Sequence, residues 1–361
     1  MATTTIWLWP RDLGEDVALK KMGLKLDCAL AMDALAEVPD VARAAEEVGF
    51  ARMWANDTKH NPFVTLALAA LCTTRLELGT GVAVAFGRSP MVVAQTAWDL
   101  ARLSGGRFTL GLGTQVRAHI ERRFGMTWDP PVPKLREYMG VLRAVWRAWQ
   151  EGGRLNVSGR YYKIDLMGPF FDPGPNPDPK IPIFIAGVGR LLCRLAGELA
   201  DGFVVHPLHS VTYLREVVLP NVAEGLAKAG RSRGALHIYA PVFLAPGETP
   251  EEVRAAVDRA RARMAFYGST PTYRPLLEIL GYGDVADRLH RMVRERKMDE
   301  LARQMPDAVV DAVALRGTYE EIGHALRARY EGLVDRVASY WPFTPAERAG
   351  WMRMCAAFQR A

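Results

Sequence analysis

From Leu24 onward the chain switches repeatedly between two hydrophobic periods. Leu24 to Leu30 alternates as a strand does, and Val38, Val41, Ala44, Ala45 and Val48 then recur at helical spacing until Gly49 ends the run. Phe50 to Asn56 predicts the next strand, and Asn61-Pro62 caps and opens a helix through Leu71. Leu76 to Gly79 predicts a third strand. Ser89-Pro90 opens a helix that stops at Gly105-Gly106, and Phe108 to Leu112 predicts a fourth strand. After it comes the clearest apolar stripe of the chain, Leu135, Tyr138, Met139, Leu142, Val145, Trp146 and Trp149, which reads as the core face of one helix.

A short hairpin around Ser158-Gly159 and a Pro-rich loop from Pro169 to Pro182 interrupt the alternation, which then resumes. Strands are predicted at Ile183–Ala186, Gly202–Val205, Leu236–Leu244 and Val334–Tyr340, with helices at Leu191–Leu199, Tyr213–Ala229, Tyr319–Tyr330 and Pro345–Phe358. Residues 249–305 are mostly helical and longer than one crossover needs. Eight strands alternating with helices demand a parallel sheet, and this number of units fits an α/β fold, a closed (β/α)8 TIM-like barrel with insertions. The doubly wound alternative lacks its early G-x-G-x-x-G fingerprint. The expected organisation is one barrel domain over residues 22–361, with insertions near 151–181 and 249–305. Residues 1–21 do not fit the pattern and read as an N-terminal extension.

Composition adds little to that picture and removes several function classes. The 361 residues are 49% hydrophobic and 24% charged, as in ordinary globular proteins. The net charge of +6 is spread along the chain, and its densest cluster, Arg288 to Lys297, alternates with apolar positions as a solvated helix face does. Neither a nucleic acid nor a membrane is expected as a partner; an anionic small molecule is compatible. The four cysteines are far apart in sequence, without metal spacing, and read as free thiols of a cytoplasmic protein.

In a (β/α)8 barrel, ligands bind at the C-terminal ends of the strands. That rule gathers Asn56-Asp57-Thr58, Thr80-Gly81-Val82, Gly113-Thr114-Gln115 with His119 beyond, Gly187-Val188-Gly189-Arg190, and His206 into one region. Gly187 to Arg190 follows a strand and opens a helix, so free N–H groups and the helix dipole offer a phosphate site, with the Arg190 guanidinium beside it. Asp57 and His119 are the titratable groups placed for proton transfer. Asp57 equally suits a helix cap or a solvated carboxylate, and His119 an exposed helix face. His206, before Pro207, reads as a loop residue. The pair of glycines around Thr80 suits a bulge, or a backbone pressed against a flat ligand. No nucleophile elbow and no H-E-x-x-H spacing is present, so the hard chemistry points to a bound cofactor.

Three segments make a more specific case: Leu76-Glu77-Leu78-Gly79-Thr80-Gly81-Val82, Pro90-Met91-Val92-Val93-Ala94-Gln95-Thr96, and Ser104-Gly105-Gly106-Arg107-Phe108-Thr109-Leu110-Gly111-Leu112-Gly113-Thr114. With Ala200-Asp201-Gly202-Phe203 they resemble the luciferase-like monooxygenase superfamily, in particular its coenzyme F420-dependent oxidoreductases. The resemblance implies a barrel whose mouth holds F420, with FMN as the alternative cofactor. It implies a bulge with a non-prolyl cis peptide at Gly81–Val82 backing the deazaflavin ring, and a phosphate held by Gly187, Val188, Gly189 and Arg190. It places Asp57 near the ring and Gln115 and His119 on the wall, with Thr80 beside the bulge. Some F420-dependent dehydrogenases carry a histidine directly after the acidic residue; this chain has Thr58.

The implied activity is hydride transfer between deazaflavin C5 and a small organic substrate. The segment Phe266 to Arg274, aromatic and punctuated by Gly and Pro, is placed to close over that substrate. A homo-oligomer is expected. Two rivals remain open at this level: an FMN-dependent monooxygenase using reduced flavin and oxygen, and a non-catalytic flavin-binding barrel.

Overall fold

In the computed structural model residues 23–30 and 34–360 are described; the segment read as an extension lies outside them. Eight parallel strands close into a barrel: β1 (Lys25–Leu30), β2 (Arg52–Ala55), β3 (Glu77–Thr80), β4 (Phe108–Gly113), β5 (Ile183–Gly187), β6 (Gly202–Val205), β7 (His237–Pro246) and β8 (Arg336–Pro342). Each pairs with its sequence neighbour, and β8 closes on β1 through Lys25–Arg336 and Leu26–Val337. A further strand, Ala314–Gly317, extends the outer end of β7. Every strand expected from periodicity is present.

The helices form where the sequence caps them. The Asn61 carboxamide accepts from the Phe63 N–H and opens Pro62–Cys72; the Ser89 hydroxyl accepts from the Met91 N–H and opens Pro90–Leu103. The helix Pro131–Glu151 buries Leu135, Tyr138, Met139, Leu142, Val145, Trp146 and Trp149 as one face. Each such side chain contributes about 1.5–3 kcal/mol by leaving water. Residues 249–305 hold the helices Pro250–Gly268 and Gly283–Arg294, joined across a short helical turn at Pro271–Tyr273.

The barrel interior is layered. At its floor, Arg336 makes a two-pronged contact with Asp27 at 2.7 and 2.8 Å, and Trp54 Nε1 donates to the same carboxylate at 2.9 Å. Glu77 joins Arg52 and Arg336 to this group at 2.7 and 2.9 Å. Burial and the neighbouring Arg336 pull the Arg52 pKa down to about 10, still charged at neutral pH. Above it lies an apolar layer of Trp54, Phe184, Val204, Tyr239 and Ala338, with Tyr239 stacked on Trp54 at 4.5 Å. The layer supports the mouth from beneath.

Candidate functional site

The mouth is built on a bulge. Between the pairings Gly79–Thr109 and Ala83–Leu112, the β3 side carries one residue more than β4. The Gly81–Val82 peptide lies in that bulge and is cis. Gly81 and Val82 are partly exposed at the barrel opening.

Glycines make this surface flat. A Cβ on Gly79 would lie 2.6 Å from the Trp54 ring, and one on Gly81 2.9 Å from Trp54 Cβ. A Cβ on Gly111 would lie 2.0 Å from the Thr80 carbonyl, and one on Gly113 2.6 Å from Val82 Cγ2. The absence of side chains lets Trp54 and Val82 rise directly beneath the opening. Thr80 locks the two strands: its hydroxyl donates to the Gly111 carbonyl at 2.6 Å and accepts the Gly111 N–H at 2.8 Å. Thr80 is fully buried, which corrects the expectation that it touches a ligand. It holds the floor in place.

Two strands round the barrel, Gly187 to Arg190 turns from β5 into the helix Arg190–Leu199. Gly189 sits at φ 85°, ψ 167°, a conformation that suits glycine, and the space where its Cβ would be is open. The N–H groups of the first turn have no intrahelical partners, the donor set that a phosphate at a helix start uses. Arg190 is exposed beside them. One of these donors is already used. The Gly189 N–H donates to the hydroxyl of Tyr213, which the sequence marks only as the start of a helix, at 3.0 Å.

The candidate acid–base residues are placed differently from the sequence expectation. Asp57 follows β2, and its Oδ2 accepts from the Val84 N–H at 2.9 Å and from Arg88 Nη1 at 2.5 Å. Both partners are largely buried, with 6% of the Asp57 side chain exposed, so this carboxylate pins the bulge to the loop after it. Asn61, rather than Asp57, caps the following helix. His119 is exposed on the short helix Arg117–Arg122, whose inward residue is Ile120. Gln115, at φ 59°, folds back so that its side-chain oxygen accepts the Val116 N–H at 2.9 Å. Of the two residues expected to move a proton, Asp57 is thus engaged by Arg88 and the Val84 N–H, and His119 stands exposed on its helix.

The opposite wall brings together polar aromatic side chains that lie far apart in sequence. His206 continues the inward alternation of Gly202 and Val204 beyond β6. Its ring meets Tyr273 at 3.9 Å and Tyr267 edge-on at 4.9 Å. Tyr267 bonds Tyr340, on β8, hydroxyl to hydroxyl at 2.8 Å. The aromatic segment of the insertion thus lies against the mouth, at the ends of β6 and β8. The signal was present as Phe266 to Arg274, but its partners are distant in sequence. His206 Nδ1 accepts the Leu208 N–H at 3.2 Å, and burial with His209 nearby pushes its pKa down to about 3, so the ring is neutral and carries its proton on Nε2.

A separate open cavity of about 420 Å³ lies between the helices Pro62–Cys72 and Pro90–Leu103, lined by Phe63, Val92, Leu100 and Leu103. Apart from Arg88 it shares no residue with the mouth. Among the described residues no group of His, Cys, Asp and Glu could hold a metal, and no helix is long and apolar enough to cross a membrane. The four cysteines are free thiols.

Fold and mouth together define an eight-stranded parallel barrel whose opening is formed by the C-terminal ends of the strands. The profile of the luciferase-like monooxygenase family matches residues 14–336, and the chain belongs to that family. An uncharacterized protein of Mycobacterium tuberculosis is 45% identical over 87% of this chain and 92% of its own length. The 5,10-methylenetetrahydromethanopterin reductase of Archaeoglobus fulgidus is 28% identical over 86% and 91%. Among solved structures, the coenzyme F420-dependent tetrahydromethanopterin reductase of Methanopyrus kandleri superposes with a TM-score of 0.75 at 20% identity, covering 92% of this chain and 96% of that one.

Proposed function

We propose that the protein is an F420-dependent oxidoreductase acting on a small organic substrate. The observation that carries this reading is the pairing of a floor kept flat by glycines around the Gly81–Val82 bulge with the open helix N-terminus at Gly187–Arg190. The floor suits a flat ring, because any Cβ at Gly81 or Gly113 would displace the Trp54 or Val82 that supports it. The open turn suits the phosphate of the same molecule. Sequence relatives named as F420-dependent favour the deazaflavin over FMN.

When bound, F420 supplies or accepts a hydride. The residues of this chain do the rest. Gly187 to Arg190 and the Tyr213 hydroxyl anchor the phosphate end. Gly81 and Val82 back one face of the ring, so the substrate is confined to the other. The insertion, through Tyr267 and Tyr273, excludes water from that face, which raises the fraction of bound encounters in reactive geometry.

The test is titration of the purified protein with F420 and with FMN, following quenching of cofactor fluorescence. Saturable quenching of F420 but not FMN is expected. Binding of FMN alone would favour the flavin-dependent monooxygenase, and binding of neither would overturn both. Tight F420 binding without turnover on any carbonyl, imine or alkene panel would favour the non-catalytic barrel.

A further inference from the structure

The proton needed alongside a hydride has no source in the carboxylate expected for it, because Asp57 is held by Arg88 and Val84. The wall across the mouth from Gly81 has proton donors to spare. Tyr267 and Tyr340 share a single hydrogen bond at 2.8 Å. Two hydroxyls in one bond leave one O–H hydrogen over, and among the described residues neither hydroxyl makes a further hydrogen bond. His206 likewise uses Nδ1 as an acceptor, leaving its Nε2–H without a hydrogen-bond partner among the described residues.

These groups are partly exposed at the opening, and no charged side chain hydrogen-bonds or ion-pairs with them among the described residues. Burial, followed by the neighbouring Tyr340 phenol, raises Tyr267 far above the ordinary phenol range, so Tyr267 remains protonated at neutral pH. A wall of neutral donors set in aromatic rings favours a neutral, planar acceptor over an ion.

We propose that His206, Tyr267 and Tyr340 form the substrate-recognition and proton-donating wall of the site, and that the substrate is an uncharged, conjugated aldehyde or ketone whose carbonyl oxygen accepts from this wall. The assignment rests on the F420 reading above, which names the reductant. As the carbonyl carbon takes a hydride from the reduced deazaflavin, the C=O π pair moves to oxygen. The phenol O–H bond of one tyrosine breaks, its proton passes to that oxygen, and an alcohol forms. The resulting phenolate takes a proton from its tyrosine partner, which is refilled from solvent. The two electrons lost by the deazaflavin are those gained by the carbonyl, and the reverse sequence oxidises the alcohol.

The probe is 4-(dimethylamino)cinnamaldehyde, whose long-wavelength absorption moves to the red when its carbonyl oxygen is hydrogen-bonded. It is titrated into the wild-type protein with and without oxidised F420, and into Tyr267→Phe, Tyr340→Phe and the double variant. The phenylalanine variants keep the ring packing, and their F420 quenching, carried by the other side of the mouth, is expected to be unchanged. The wild type is expected to bind the probe with a red shift. Each single variant keeps one free hydroxyl and should bind the probe with a diminished shift, and the double variant, left with only the His206 Nε2–H, should bind it roughly tenfold more weakly with most of the shift gone. A wild-type protein that binds F420 but gives no shift, or a double variant that retains the full shift, overturns the proposal and leaves the cofactor reading intact. Failure to bind F420 overturns the cofactor reading, and the shift in the cofactor-free protein still decides the wall.

Discussion

Arg88 Nη1 lies 2.5 Å from Asp57 Oδ2, and that pair ties the end of β2 to the loop that follows the Gly81–Val82 bulge. The same carboxylate oxygen accepts the Val84 N–H, and Arg88 also donates to the Val84 carbonyl at 3.1 Å. The three contacts make one clamp on the floor of the mouth.

Removing either partner strands the other in a largely buried setting. Asp57→Ala is expected to cost about 3 kcal/mol, in the range for breaking a buried ion pair. Asp57→Asn, which keeps an acceptor for the Val84 N–H, should cost less. Denaturant unfolding followed by circular dichroism measures both. Equal stability of Asp57→Ala and wild type would show that the clamp carries no load.

The glycines of the floor are expected to separate folding from binding. In Gly111→Ala the new Cβ meets the Thr80 carbonyl at 2.0 Å, backbone against β-carbon with no room to yield, so the variant should not fold. In Gly113→Ala the clash is with the Val82 side chain, which can shift. That variant should remain folded by circular dichroism and lose F420 binding at least roughly tenfold, the scale of a misplaced contact surface. Unchanged F420 quenching in Gly113→Ala would argue against the floor as a ring platform.

Tyr213→Phe removes the acceptor of the Gly189 N–H from a buried position. The unpaired donor should destabilise the protein by about 1–2 kcal/mol and loosen the turn that opens the helix. Weaker F420 binding with a lowered melting temperature is the expected pair of results. A fall in melting temperature with unchanged affinity would confine Tyr213 to a packing role.

Stability should fall on mild acidification. His209, buried with Nδ1 on the His206 carbonyl and Nε2 on the Tyr330 hydroxyl, is held down to about 4 by burial, as His206 is to about 3. The unfolded chain binds these protons near the ordinary histidine pKa and the folded protein does not, so the unfolded state gains between about pH 6.5 and 4. For His209 the loss approaches ~3 kcal/mol once pH reaches its folded value. Glu77, lowered by Arg52, Arg336 and Lys25 against the cost of its burial, adds its loss only below the carboxylate range. Unfolding free energy measured from pH 7.5 to 4.5 should drop, and in His209→Gln the drop should be smaller. A flat profile in the wild type would contradict the buried neutral ring.

The local pattern of this chain decides its elements. Alternation and helical spacing give all eight strands, Asn61 and Ser89 mark the helix starts, and Gly79 to Val82 mark the bulge, because caps, periods and glycines act within a few residues. Only the tertiary structure decides which polar groups meet. Arg88 claims Asp57 from 31 residues away, and Tyr267 meets Tyr340 from 73. Exposed His119 and buried Thr80 share a mouth-forming region in sequence yet face opposite surroundings, and His206 gains its aromatic neighbours only when the insertion folds back. Such pairings depend on how the barrel closes, a property of the whole sheet that no local window of the sequence contains.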